Sequence, residues 1–66
     1  MKIKLINIGR SHFNGKAEVN NLEGALNEAS KHLVSSDVAI AGTDTKNLFN
    51  VYAGAHKVGQ VQIIEE

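Results

Sequence analysis

Asn20-Asn21-Leu22-Glu23-Gly24-Ala25-Leu26-Asn27-Glu28-Ala29-Ser30-Lys31-His32-Leu33 is the stretch that decides the fold. Leu22, Ala25, Leu26, Ala29 and Leu33 recur within it at helical spacing and form one apolar stripe, which predicts a helix over 20–33. Asn20 and Glu23 have the spacing of a capping box, in which the Asn oxygen accepts an amide of the first turn and Glu23 reaches back to the cap amide. Lys31 and His32 fall in the last turns, where the helix dipole favours positive charge, and Glu28 lies three residues before Lys31. Gly24 costs roughly 1 kcal/mol relative to alanine in a helix. Close packing against a sheet is its expected reason.

On the amino-terminal side, Lys2 to Ile8 reads as a strand, with Ile3 and Leu5 on one face and Lys2, Lys4, Ile6 and Ile8 on the other. Gly9 ends it or marks a bulge. Asn14-Gly15 then suits a two-residue turn between Phe13 and Lys16, with a return through Ala17, Glu18 and Val19; a bare loop over 9–16 is the alternative. On the other side, Ser35 and Ser36 leave the helix and 37–41 alternates as a strand. A polar connection follows, then a strand over Leu48 to Ala53. Gly54 suits the first central position of a type II′ turn, which sets Ala53 beside His56, Val51 against Val58 and Leu48 against Val61. Val58 and Val61 differ in parity, so a bulge near Gly59 is needed to bring both inward.

The expected fold is therefore α+β, a single helix packed on one face of a small antiparallel sheet in the order β-(β)-α-β-β-β. All 66 residues form one compact domain, with a core small enough that self-association or a partner matters to its stability. Lys2 and Lys4 are expected to guard one sheet edge. The carboxy-terminal strand, uncharged between Lys57 and Glu65, is expected to be an open edge, and Glu65-Glu66 to be solvated.

Seven basic and seven acidic side chains cancel, which argues against a strong nucleic-acid footprint or a polybasic membrane anchor. Residues 1–33 hold five basic and three acidic groups and the remainder two and four, a weak asymmetry. The absence of cysteine excludes disulfides, thiol catalysis and thiolate metal sites. Met1 to Gly9 is too short and interrupted for a secretory core, and no apolar run reaches the roughly 20 residues that span a bilayer. A cytoplasmic location without membrane attachment is the expectation.

No phosphate-binding glycine loop, dinucleotide fingerprint or paired-histidine metal motif occurs, so no cofactor, metal or catalytic residue is expected. His12, His32 and His56 are too dispersed for a compact metal segment. A domain of this size is also expected to have little volume for a pocket. Two clusters remain as partner-binding candidates. Arg10, His12, Phe13, Asn14 and Lys16 combine cations, an aromatic ring and turn chemistry, while Tyr52, His56 and Lys57 surround the last turn.

The leading functional reading is a non-catalytic interaction or regulatory module that binds a protein partner, or itself, through a strand edge or the 10–16 ribbon. One alternative is weak nucleic-acid binding through Arg10, His12, Phe13 and Lys16. Another is an enzyme whose site forms between subunits and recruits His56.

Overall fold

A computed structural model describes residues 1–34 and 37–65. Its accessible surface of 4333 Å² agrees with the roughly 4,100 Å² expected for a single folded chain of this mass. Strands β1 (Lys2–Ile8) and β2 (Phe13–Glu18) precede helix α1 (Leu22–Ser30), and β3 (Val38–Gly42), β4 (Leu48–Ala53) and β5 (His56–Glu65) follow it. All neighbouring strands are antiparallel, and the sheet order is β2-β1-β5-β4-β3. This is the α+β layer expected from the sequence. The helix exit expected at Ser35 and Ser36, and the state of Glu66, lie outside the described residues.

The core joins Ile3, Leu5, Ile8, Val51, Val61 and Ile63 of the sheet to Ala25 and Ala29 of α1. Only methyl groups occupy the centre of the helix stripe. Leu26 and Leu33 are half-buried flanks, and Leu22 is exposed, so the five apolar positions do not share the interface equally. The cap also sits one residue later than expected. Asn21, not Asn20, caps α1: its Oδ1 accepts the Gly24 amide at 2.9 Å, which places Gly24 rather than Glu23 at the third helical position and leaves no capping box. A Cβ on Gly24 would lie 3.1 Å from the Cβ of Val19, so its close neighbour is the residue leaving β2. α1 ends three residues early, and His32 and Leu33 continue as tighter bonds to the carbonyls of Ala29 and Ser30.

Ile8 belongs to the core, although simple alternation from Ile3 and Leu5 sets it on the other face. A register shift between Leu5 and Ile8 reverses the parity, with Asn7 in the left-handed region at φ 51°. The bulge removes Asn7 from the ladder, and Asn14 compensates: its Oδ1 accepts the Asn7 amide at 3.2 Å while its Nδ2 donates to the His12 carbonyl at 2.8 Å. Asn14-Gly15 is consequently inside β2 and not at a hairpin tip. The tip is Gly9 to His12, with Ile8 opposite Phe13.

The β4–β5 hairpin has Ala53 opposite His56, as expected, and positive φ at Gly54 but not at Ala55, as a type II′ turn requires. The expected pairs further along are one residue out. Tyr52 opposes Lys57, but the bulge comes immediately after, at Val58, so that Val51 opposes Gly59, Phe49 opposes Val61 and Leu48 opposes Gln62. β5 itself lies between β1 and β4, so the carboxy-terminal strand is not an edge, and Lys2 and Lys4 do not guard one. Glu65 is exposed and its carboxylate lies 3.7 Å from Lys2 Nζ. The two edges are β2 and β3.

Candidate functional site

At one end of the sheet the 9–12 turn docks against the exit of α1. Gly9 makes this possible: its φ is +72°, and a Cβ there would come 2.7 Å from the His32 carbonyl oxygen. Its amide donates to the Val58 carbonyl at 2.8 Å, tying the turn to β5, and the His12 amide closes the turn onto the Gly9 carbonyl at 3.2 Å. The Phe13 and His32 rings stack at 3.8 Å with planes 13° apart, joining β2 to the chain leaving the helix. Gly15 leaves the space that the Phe13 ring occupies, since a Cβ there would lie 2.8 Å from its Cζ.

These contacts enclose an open groove of about 510 Å³, lined by the 9–12 turn, residues 32–34, Ala53, Lys57 and Val58. That volume falls within the range of roughly 300–1,000 Å³ typical of small-molecule sites. The expectation that so small a domain has little room for a pocket is corrected. A pocket arises here without a large interior because three chain segments meet at the sheet end and leave Leu33, Ala53 and Val58 half-buried and Val34 exposed. Leu33, Val34, Ala53 and Val58 supply the apolar surface, while Arg10, His12, His32 and Lys57 supply nitrogen-bearing side chains, and among the described residues no carboxylate lines the groove.

Of the eight residues expected to contact a partner, Arg10, His12 and Lys57 come together here, and Phe13 supports the wall through His32. The other four lie outside the lining. Asn14 serves the β1 bulge, and Lys16 borders a second, shallower hollow with Lys2, Ala17, Glu18 and Ile64. Tyr52 lies in a polar row, where Asn50 Nδ2 donates to its hydroxyl at 3.4 Å and accepts, through Oδ1, from Gln60 Nε2 at 3.1 Å. His56 is exposed beside the last turn. His32, Leu33 and Val34 were not identifiable as site residues from sequence, because a place at the helix end accounts for His32, the apolar stripe accounts for Leu33 and nothing marks Val34.

The β3 edge is a second candidate surface. The Gly54 amide donates to the Asp37 carbonyl at 2.8 Å, which makes 37/54 a hydrogen-bonded pair; alternation then gives Ala39/Tyr52 and Ala41/Asn50 the same character. Val38, Ile40 and Gly42 therefore turn their amides and carbonyls away from the sheet. Val38–Gly42 has no charged side chain, and a Cβ on Gly42 would meet nothing within 4 Å.

No protein-family model, curated protein or solved structure matches this chain. Among the described residues no cluster of three histidine, aspartate or glutamate side chains could hold a metal, and no helix is long and apolar enough to cross a membrane.

Proposed function

We propose that this chain is a non-catalytic interaction module that takes an extended segment of a protein partner as an added strand along β3. The observation that carries this reading is the uncharged outer edge of β3, where the ladder groups of Val38, Ile40 and Gly42 point away from β4 and meet no further strand among the described residues. Main-chain bonds supply affinity in such docking, and the small side chains of Ala39 and Ala41 leave an added strand unobstructed. The occupant best suited to it is an extended, uncharged segment rich in β-branched residues.

The test is a titration of the isotope-labelled chain with an alternating valine–threonine heptapeptide, followed by amide hydrogen exchange. The Val38, Ile40 and Gly42 amides are expected to exchange faster than those of Ala39 and Ala41 in the free chain and to gain protection with peptide. Ala39→Lys combined with Ala41→Lys should abolish the gain, because lysines on an edge oppose strand addition. Unchanged exchange at all three amides, or protection that survives the double substitution, overturns the reading. Light scattering then identifies the donor: a mass rising from 7.1 kDa to twice that value with concentration makes a second copy the partner.

The nucleic-acid reading gains no specific support. One face of Phe13, its only aromatic group, is covered by His32, and Arg10 and Lys16 border different hollows.

A further inference from the structure

We infer that the groove at the sheet end binds a small organic carboxylate with an apolar tail. This inference is independent of strand addition at β3, because Val38–Gly42 contributes nothing to the groove lining. Three features select the ligand chemistry. The apolar contacts come from Leu33, Val34, Ala53 and Val58, with Val34 fully exposed at the surface. A side chain of that type left in water favours an apolar ligand. Arg10 and Lys57 give the groove two formal positive charges, and among the described residues neither forms an ion pair.

The third feature is that no acidic side chain lines the groove among the described residues, in a chain whose total formal charge is zero. The described lining therefore carries net positive formal charge from Arg10 and Lys57, and its complement is an anion. Arg10 provides a planar fork suited to the two oxygens of a carboxylate, and Lys57 a mobile point charge. The volume of about 510 Å³ accommodates a medium-length aliphatic tail along the apolar surface while the open side leaves the head group near the rim. Gly9 and the Phe13–His32 stack fix the turn and one wall before any ligand arrives, so little ordering cost falls on binding.

Amide chemical shifts of the labelled chain, followed during separate titrations with octanoate, octanol and acetate, test this assignment. Octanoate should shift the amides of residues 9–12, 32–34, 57 and 58 saturably, with octanol about ten-fold weaker and acetate without saturation, as expected when one charged hydrogen-bonding group is added to an apolar tail. Arg10→Gln with Lys57→Gln should weaken octanoate about ten-fold while leaving octanol unchanged. Both residues are exposed, so an unaltered thermal midpoint should accompany the loss. Equal affinity for octanol and octanoate, saturation by acetate alone, shifts confined to residues outside the groove lining, absence of saturation by octanoate, or full affinity in the double variant each overturns the proposal. Loss of the peptide response at β3 with octanoate binding retained would reject strand addition alone, and the reverse pattern would reject this site alone.

Discussion

The two edges of the sheet are built from strands of similar length and differ in how they meet water. On β2 the Val19 amide donates to the Met1 carbonyl, so alternation turns the backbone groups of Lys16 and Glu18 outward, each accompanied by its own charged side chain. The neighbouring β1 bulge further interrupts that edge. On β3 the outward groups belong to Val38, Ile40 and Gly42, with no charge and no bulge in the β3–β4 pairing. An extended segment meets side-chain charge and an irregular ladder at one side and a regular, neutral ladder at the other. Edge protection lies in the side-chain charge and ladder irregularity of the edge strand itself, and net charge over the whole chain is silent about it.

Gly59→Val has the largest expected effect, since Gly59 lies where the halves that end in the two edges join, against Ile8 of β1 and opposite Val51 of β4. A Cβ at Gly59 would lie 2.5 Å from Ile8 Cδ1, 3.0 Å from Ile8 Cα and 3.1 Å from the Asn7 carbonyl oxygen. The valine should cost about 3 kcal/mol in urea denaturation, the upper end of ordinary overpacking. A loss below about 0.5 kcal/mol, the usual size of a surface substitution, would show that β1 and β5 do not need this close approach.

Asn14→Ala weakens only the β2 side. It removes the acceptor of the Asn7 amide and the donor to the His12 carbonyl and the Asn7 Oδ1, three exposed bonds, and should cost about 1 kcal/mol. Amide exchange should accelerate over Phe13–Glu18 while Val38–Gly42 is unaffected. Uniform acceleration in both strands would mean that the edges are not energetically separate.

Lys16→Val with Glu18→Val has the smallest expected effect on stability, within about 0.5 kcal/mol, because both side chains are exposed. Its effect on association is the informative one. Removing both charges should make β2 behave as β3 does, seen as new concentration-dependent mass that Ala39→Lys with Ala41→Lys does not suppress. A mass unchanged from the parent chain would assign edge protection to the bulge instead.

Local chemistry made much of this fold readable. The helix stripe, the strand Leu48–Ala53, the turn at Gly54-Ala55 and the Tyr52–Lys57 pair each depend on residues close in sequence. Strand order does not: the β1–β5 pairing joins opposite ends of the described chain and has no sequence-local signal. Asn14-Gly15 is misleading for a physical reason. Placing the hairpin tip there leaves Ile8 on the outer face, whereas a bulge at Asn7 and a tip at 9–12 bury it, and core burial outweighs turn preference. For the groove, the charges at Arg10, His12 and Lys57 could be recognised as chemistry, but their assembly with Leu33 and Val34 depends on how the helix exit meets the turn.

The central position of β5 also sets an order of events. During synthesis β1–β2 and β3–β4 can each close as local hairpins before β5 exists, but neither can join the other until β5 enters between them. The final step is therefore one of long sequence separation, with a loop-closure cost that slows folding. Until it happens, two inner strand borders stand open, and a nascent chain halted before His56 is two hairpins without a common sheet.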